Sequence, residues 1–107
     1  MSVRHISCLT WSERATPAAI EAIRVALEEL PDLIPELRGY TVGADLGLAA
    51  GNADFAVVAD FDDVEGWRRY TDHPAHQAVL VEQIRPILAS RVAVQLVLPE
   101  GSPGGLA

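Results

Sequence analysis

The chain has 107 residues, half of them hydrophobic, and its 8 basic residues, all arginine, stand against 15 acidic ones for a net charge of −7. This length suits one globular domain, and this charge repels nucleic-acid phosphates and anionic lipid headgroups, so neither is expected as a partner. Cys8 is the single cysteine, which excludes an intrachain disulfide and favours a reducing cytoplasm. No run approaches the roughly 20 apolar residues of a membrane span.

The first part of the chain predicts a strand followed by a helix. Residues 3–11 alternate between two faces, as a strand does. One face carries Val3, His5, Ser7, Leu9 and Trp11. Thr16 and Pro17 then form a helix start, as N-cap and first helical residue. Spacings of three and four give this helix one buried stripe, which comprises Ile20, Ile23, Leu27, Leu30 and Ile34.

Two strands and a second helix follow. Residues 38–51 predict a glycine-interrupted strand, and residues 53–61 predict a strong one after a turn. Asp62 can cap the next helix, with Glu65 three residues later completing a capping-box pair. The inward side of that helix carries Val64, Trp67 and Tyr70.

The segment YTDHPAH, residues 70–76, predicts a joint between two helices. Pro74 cannot continue the preceding helix, because its ring clashes with the previous turn and it has no N–H donor, but it can begin a new one. The new helix is expected to run from Pro74 to about Arg85, and the last strand spans 90–98. We therefore expect one domain, residues 1–98, and a flexible tail, residues 99–107.

This order is the ferredoxin-like β-α-β-β-α-β arrangement, an α+β fold with helices on one face of a four-stranded antiparallel sheet. The third and fourth strands are apolar on both faces, which is typical of strands buried on both sides. We therefore expect a homodimer in which the uncovered sheet face of one subunit packs against that of another.

Tyr70, His76 and His5 are the candidate catalytic residues, since all three can converge beneath the joint. His76 is expected in the first turn of its helix, where the positive end of the helix dipole disfavours a protonated imidazole. A neutral imidazole can act as a general base. Tyr70 can orient that base or donate a hydrogen bond to a developing oxyanion. His76 can equally be a core histidine and Tyr70 a packed stripe residue. His73 is interpreted as structural, and no metal site is expected, because Pro74 breaks the helix that would align the ligands.

The segments VRHISCL, VVADF and YTDHPAH, with the run from His76 through Arg91, resemble the Dabb family, the stress-responsive dimeric α/β-barrel domain. The resemblance spans residues 3–98 and implies a pocket between sheet and helices in each subunit. Its cyclase-like members use a histidine and a tyrosine that match His76 and Tyr70, and His5 matches a first-strand histidine. Leu27 and Phe55 stand where a cyclase pocket can carry a tyrosine and a histidine. The expected pocket wall comprises Ser7, Leu9, Ile23, Leu27, Phe55, Val57, Trp67 and His73.

Two functions follow from this resemblance. The first is a cofactor-independent polyketide cyclase-like or lyase-like enzyme acting on a small, mostly apolar carbonyl compound, which predicts a hollow pocket with His76 and Tyr70 at its polar end. The second is a non-catalytic, stress-responsive oligomer or ligand-binding protein, which predicts a pocket filled by Trp67, Phe55 and Leu27.

Overall fold

A computed structural model describes residues 1–99, and its order of elements confirms the predicted ferredoxin-like arrangement. The elements are β1 (Ser2–Trp11), α1 (Pro17–Glu28), α2 (Leu30–Leu33), β2 (Gly39–Ala44), β3 (Phe55–Phe61), α3 (Val64–Asp72), α4 (Pro74–Val79), a π-helical turn (Leu80–Ile84), a 3₁₀ turn (Arg85–Ile87) and β4 (Leu88–Leu98). The predicted flexible tail lies, apart from Pro99, outside the described residues. No helix within residues 1–99 has the length and apolar character needed to cross a membrane.

The sheet has the strand order β2-β3-β1-β4, and all neighbouring strands are antiparallel. β1 is therefore central, with His5 opposite Ala59 on β3 and opposite Gln95 on β4. Leu9 lies opposite Arg91 on the same helix-facing side. This register places the polar side chains of β1 over the middle of the helix-covered face.

Helix α1 begins as predicted and ends earlier than its apolar stripe. The Thr16 hydroxyl accepts a hydrogen bond from the Ala19 N–H at 3.1 Å, and Pro17 is the first helical residue. The helix ends at Glu28 because Pro31 has no N–H to donate to Leu27 and its ring crowds that carbonyl. The short α2 continues the stripe, so the buried side chains still include Ile23, Leu27, Leu30 and Ile34.

The second strand is shorter than predicted, because residues 45–54 form a loop. Gly47 and Gly51 have positive φ angles of 74° and 82°, which favour glycine and turn the chain. The Asp45 carboxylate accepts hydrogen bonds from the Gly47 N–H at 2.9 Å and from the Asn52 side chain at 3.2 Å. A loop with two glycine turns thus replaces the second half of the predicted strand.

Asp63, rather than the predicted Asp62, caps helix α3. The Asp63 carboxylate accepts a hydrogen bond from the Gly66 N–H at 2.7 Å. Asp62 instead pairs with Arg38 at 2.9 Å on the surface. The prediction was wrong by one residue, because either aspartate can serve as an N-cap and only Asp62 has a glutamate three residues later.

The joint at Pro74 is present, and His73 forms it more directly than predicted. His73 ends α3 and is itself the N-cap of α4, since its Nδ1 accepts a hydrogen bond from the Ala75 N–H at 3.1 Å. Pro74 is the first residue of α4. A histidine that caps a helix in this way holds the chain at the turn between the two helices.

The helix predicted from Pro74 to about Arg85 changes its winding partway. After α4, the Arg85 N–H donates to the Leu80 carbonyl five residues earlier, which is the bond of a π-helical turn. Pro86 cannot donate a hydrogen bond, and its ring crowds the turn before it. The inward side is retained, because His76 and Ile84 are buried and Leu80 is half-buried.

The face of the sheet opposite the helices is open in a single subunit. We define the open sheet face as Ile6, Cys8, Val58, Val92, Val94 and Leu96. Its β4 members are largely exposed, with 69% of Val92, 48% of Val94 and 49% of Leu96 accessible. Cys8 is half-buried there. The core thus lies wholly on the helix side of the sheet.

Candidate active site

A cavity of about 300 Å³ lies between the helix-facing side of the sheet and the helices. Eight of the predicted site residues border it, namely His5, Ser7, Leu9, Leu27, Val57, Trp67, Tyr70 and His76. The remainder of its wall comprises Thr71, Gln77, Leu80, Ile84, Arg85, Leu88 and Arg91. The predicted candidates on β1, α3 and α4 are therefore neighbours in space.

Three predicted pocket residues lie elsewhere. Ile23 is fully buried in the hydrophobic core, one turn before Leu27 on the same helix. Phe55 packs against Trp11, with ring centroids 5.7 Å apart. His73 borders an open surface depression on the outer side of the joint. Strand and helix periodicity put Ile23 and Phe55 on the right faces, but the cavity occupies only part of those faces.

His76 presents an unprotonated ring nitrogen. Its Nδ1 lies 3.1 Å from the Thr71 carbonyl oxygen, which can only accept, so Nδ1 carries the proton and Nε2 is left with its lone pair. Burial lowers the pKa of His76; the bond to Thr71 opposes this change, and the charges of Arg91 and His73 add to it. The imidazole is therefore neutral near pH 7 and can accept a proton at Nε2.

His5 has the opposite tautomer. Its Nδ1 accepts a hydrogen bond of 2.9 Å from the Gln95 amide nitrogen, so the proton of the neutral ring lies on Nε2. Burial lowers the pKa of His5 to about 4, with smaller contributions from Arg91 and His76. The cavity thus contains one imidazole that accepts at Nε2 and another that donates from Nε2.

Tyr70 is fully buried and lies against His76 without sharing a hydrogen bond with it. The two rings stack at 4.2 Å between centroids, and the Tyr70 hydroxyl lies 3.1 Å from that of Tyr40. Burial raises the pKa of Tyr70 to about 12, against opposing effects of the Tyr40 bond and of Arg91. Burial also raises the pKa of Tyr40. Both phenols therefore keep their protons near neutral pH.

Arg91 is the main residue of the site that the sequence reasoning did not assign a role. Its Nε donates to the Ser7 hydroxyl at 3.1 Å, and its charge acts on the pKa values of His5, Tyr70 and His76. A sequence signal existed, because Arg91 is the one charged residue of a mostly apolar strand. Its place beside the cavity depends on the pairing of β4 with β1, which cannot be predicted from the residues of β4 alone.

Trp67 contributes a second unassigned feature. Its indole Nε1–H is the one buried side-chain nitrogen or oxygen within residues 1–99 that has no hydrogen-bond partner. A buried donor without a partner is unfavourable by about 1–3 kcal/mol. Trp67 borders the cavity, but its Nε1 atom itself has almost no accessible surface.

The described part of the chain brings no three His, Cys, Asp or Glu side chains together as a set of metal ligands. The His5 and Tyr70 rings lie 6.4 Å apart, and the His5 and Trp67 rings 6.3 Å apart. The polar part of the cavity wall therefore combines neutral donors and acceptors with the guanidinium groups of Arg85 and Arg91.

Comparisons with known proteins agree with this architecture. No curated protein matches the chain. A dimeric ferredoxin-like protein of unknown function from Thermobifida fusca is 55% identical, with a TM-score of 0.86 over 92% of each chain. The hydroxynitrile lyase of Passiflora edulis is 21% identical, with a TM-score of 0.79 over 95% of this chain and 97% of that one.

A Dabb family protein with a ferredoxin-like fold from Mesorhizobium loti is 17% identical, with a TM-score of 0.76 over 92% of this chain and 97% of that one. At identities this low, the likeness to the last two structures is one of fold. The model of the Dabb family matches residues 3–98. The chain therefore belongs to the Dabb family, the stress-responsive A/B barrel domain.

Proposed function

We propose that this protein is a cofactor-independent acid–base enzyme that forms or breaks a carbon–carbon bond beside the carbonyl group of a small, mostly apolar compound. The observation that carries this proposal is the neutral His76, whose unprotonated Nε2 belongs to a ring bordering a cavity of about 300 Å³. Cavities of roughly this size and larger hold small organic ligands. A polyketide cyclase-like or a lyase-like reaction fits this site.

In the cyclase-like reaction, His76 Nε2 removes a proton from the carbon next to a carbonyl group. The electron pair of that C–H bond moves to the carbonyl oxygen and gives an enolate, whose oxygen accepts a hydrogen bond from His5 Nε2–H. The enolate carbon then attacks a second carbonyl of the same molecule. The protonated His76 returns its proton to the new alkoxide, so the base is regenerated.

In the lyase-like reaction, the same nitrogen removes the hydroxyl proton of a cyanohydrin. The carbon–carbon bond to the nitrile breaks, the carbonyl forms, and cyanide takes the proton back from His76. The likeness in fold to the hydroxynitrile lyase of Passiflora edulis supports testing this chemistry, although that protein is only 21% identical.

Tyr70 serves this site as a neutral donor and as a platform for the base. Its ring stacks on His76 at 4.2 Å and holds the orientation of the imidazole. When Tyr40 donates to the Tyr70 oxygen, the Tyr70 O–H is left to donate to a ligand that occupies the cavity.

The test is a proton-exchange and cleavage assay on the purified protein. We expect it to accelerate deuterium incorporation next to the carbonyl of aryl ketones in heavy water, or the release of benzaldehyde from mandelonitrile. His76→Gln is expected to lower either rate at least about 100-fold. The matched control is His73→Asn, which removes an imidazole outside the cavity and keeps a good N-cap residue. Equal rates in wild type and His76→Gln would contradict the proposal.

A second arm of this test separates the two tyrosines. Tyr70→Phe and Tyr40→Phe break the same hydrogen bond, but only Tyr70 borders the cavity. Both variants should therefore lose similar stability, about 1–3 kcal/mol. Only Tyr70→Phe should also lower the rate, and equal rates in the two variants would remove Tyr70 from the chemistry.

Ligand binding without catalysis is the alternative function. The apolar part of the cavity wall favours it, since this surface can hold a small apolar molecule whether or not any bond changes; it comprises Leu9, Leu27, Val57, Leu80, Ile84 and Leu88. Saturable binding of a ligand that undergoes no change, in wild type and His76→Gln alike, would favour this function over catalysis.

The functional unit of the proposal is a homodimer in the cytoplasm. The open sheet face supplies an apolar surface for the contact, and the 55% identical protein from Thermobifida fusca is dimeric. A reducing cytoplasm keeps Cys8 on that face a free thiol. The net charge of −7 disfavours nucleic acid as a partner.

A further inference from the structure

The charges around the cavity are all of one sign. Arg85 and Arg91 border it, and no aspartate or glutamate within residues 1–99 does. This is unusual for a chain with 15 acidic and 8 basic residues. A ligand that enters the cavity therefore meets a positive local potential inside an acidic protein.

Both arginines are also without an acidic partner. Five of the eight arginines pair with carboxylates, namely Arg4, Arg24, Arg38, Arg68 and Arg69. Within residues 1–99, Arg85 and Arg91 form no ion pair. Their guanidinium groups are therefore available to an anion from outside the chain.

Arg91 is the better placed of the two. Its Nε is held by the Ser7 hydroxyl at 3.1 Å, and Ser7 is buried on the central strand. This bond uses one edge of the guanidinium and leaves its two terminal nitrogens to donate in parallel, the arrangement that matches a carboxylate.

We propose that the cavity binds a small, largely apolar monocarboxylate, whose carboxylate is held by Arg91 and whose apolar body lies between the aliphatic side chains of the wall. The influence of Arg91 on the pKa values of both cavity histidines fits a guanidinium close to the bound molecule. The Trp67 side chain also borders the cavity, and its buried Nε1–H has no partner within residues 1–99. A keto acid with an aromatic or branched body has all of these features.

This inference rests on the proposed function for its choice of cavity, but it concerns binding and can be tested without turnover. Benzoate and benzamide have nearly the same shape and differ in charge, so calorimetric titration of both isolates the carboxylate. We expect benzoate to bind about tenfold or more tightly than benzamide. A hydrogen bond between a guanidinium and a carboxylate strengthens binding by about that factor more than a hydrogen bond to a neutral amide does. The preference should shrink with added salt.

Arg91→Gln should remove the preference for benzoate and weaken the binding of benzamide much less than that of benzoate. The matched control is Arg14→Gln, which makes the same change in charge at an exposed arginine that has no ion pair and lies outside the cavity. The indole N–H resonance of Trp67 should move when either compound binds, which reports occupancy of this cavity.

Three results would overturn the inference: equal affinities for the two compounds, a benzoate preference that survives Arg91→Gln, or binding that leaves the Trp67 resonance unmoved. The wild-type comparison and its salt dependence decide the matter even if Arg91→Gln fails to fold. A benzoate preference without any turnover would support this inference and count against the catalytic proposal. Turnover of neutral carbonyl compounds without a benzoate preference would do the reverse.

Discussion

His5 and His76 are both neutral in the folded protein, and this has a consequence for stability in acid. Burial lowers the pKa of His5 to about 4, whereas an unfolded histidine titrates near 6.5. Above about pH 6.5 the ring is neutral in both states and contributes no difference. As the pH falls from there towards 4, the unfolded chain binds the proton first. The free energy of unfolding therefore decreases over this window.

We expect this loss to reach about 2 kcal/mol between pH 7 and pH 5 for His5 alone. The measurement is urea unfolding at fixed protein concentration across this range, in wild type and in His5→Gln. The variant should show a flatter profile, because it lacks the buried His5 imidazole and retains only His76 at the cavity. His73→Asn is the control for losing a histidine outside the cavity, and a wild-type slope that persists in His5→Gln would contradict the assignment.

At the scale of single residues, the sequence predicted the participants better than their partners. His5, Tyr70 and His76 were all located beside the cavity by periodicity and by the proline at the joint. The bonds that fix their chemistry join distant parts of the chain, His5 to Gln95 and Tyr70 to Tyr40. Such pairs follow from strand register and helix packing, so no local sequence pattern predicts them.

At the scale of elements, the cap of α3 shows where a local pattern stops being decisive. The prediction chose Asp62 and the structure uses Asp63, whose carboxylate reaches the Gly66 N–H at 2.7 Å. Either aspartate precedes a helical run, and backbone geometry selects between them. The second helix shows the same limit, since the sequence predicted its end near Arg85 but not the π-helical turn before it.

The two aspartates make a matched pair for measurement. Asp63→Ala removes the cap and should lower the free energy of unfolding by about 1 kcal/mol. Asp62→Ala makes the same change in charge but breaks only an exposed pair with Arg38, and should change stability by about 0.5 kcal/mol or less. Thermal or urea unfolding of both variants checks this, and a larger loss in Asp62→Ala would reassign the cap.

At the scale of the whole molecule, the exposure of the apolar side chains of β4 is not explained by a single subunit. The strand pairs with β1 along its length, yet its side chains from Ala89 to Val97 are exposed on both faces. A strand this apolar is unfavourable in water, because each exposed valine or leucine forgoes the free energy of burial. A second subunit on the open sheet face would recover part of that free energy.

Val94 is the most informative position at which to test the contact between the open sheet faces of two subunits. It lies beside Ile6, which is flanked on its other side by Val58, so these three form a row across the open sheet face. A carboxylate placed in this row would lose its hydration in a face-to-face dimer, at a cost of several kcal/mol unless it found a partner. Val94→Glu should therefore shift the protein from dimer to monomer at micromolar concentration in sedimentation or light scattering.

Val81→Glu is the matched control, because Val81 is 50% exposed against 48% for Val94 and lies on the π-helical turn, away from the sheet. It adds the same charge to the same kind of residue and should leave the dimer intact. A monomeric wild-type protein, or a Val94→Glu variant that remains dimeric, would show that the open sheet face is not the contact. Since the cavity lies on the opposite side of the sheet, a monomeric Val94→Glu that still binds ligand would separate the assembly of the protein from the chemistry of its site.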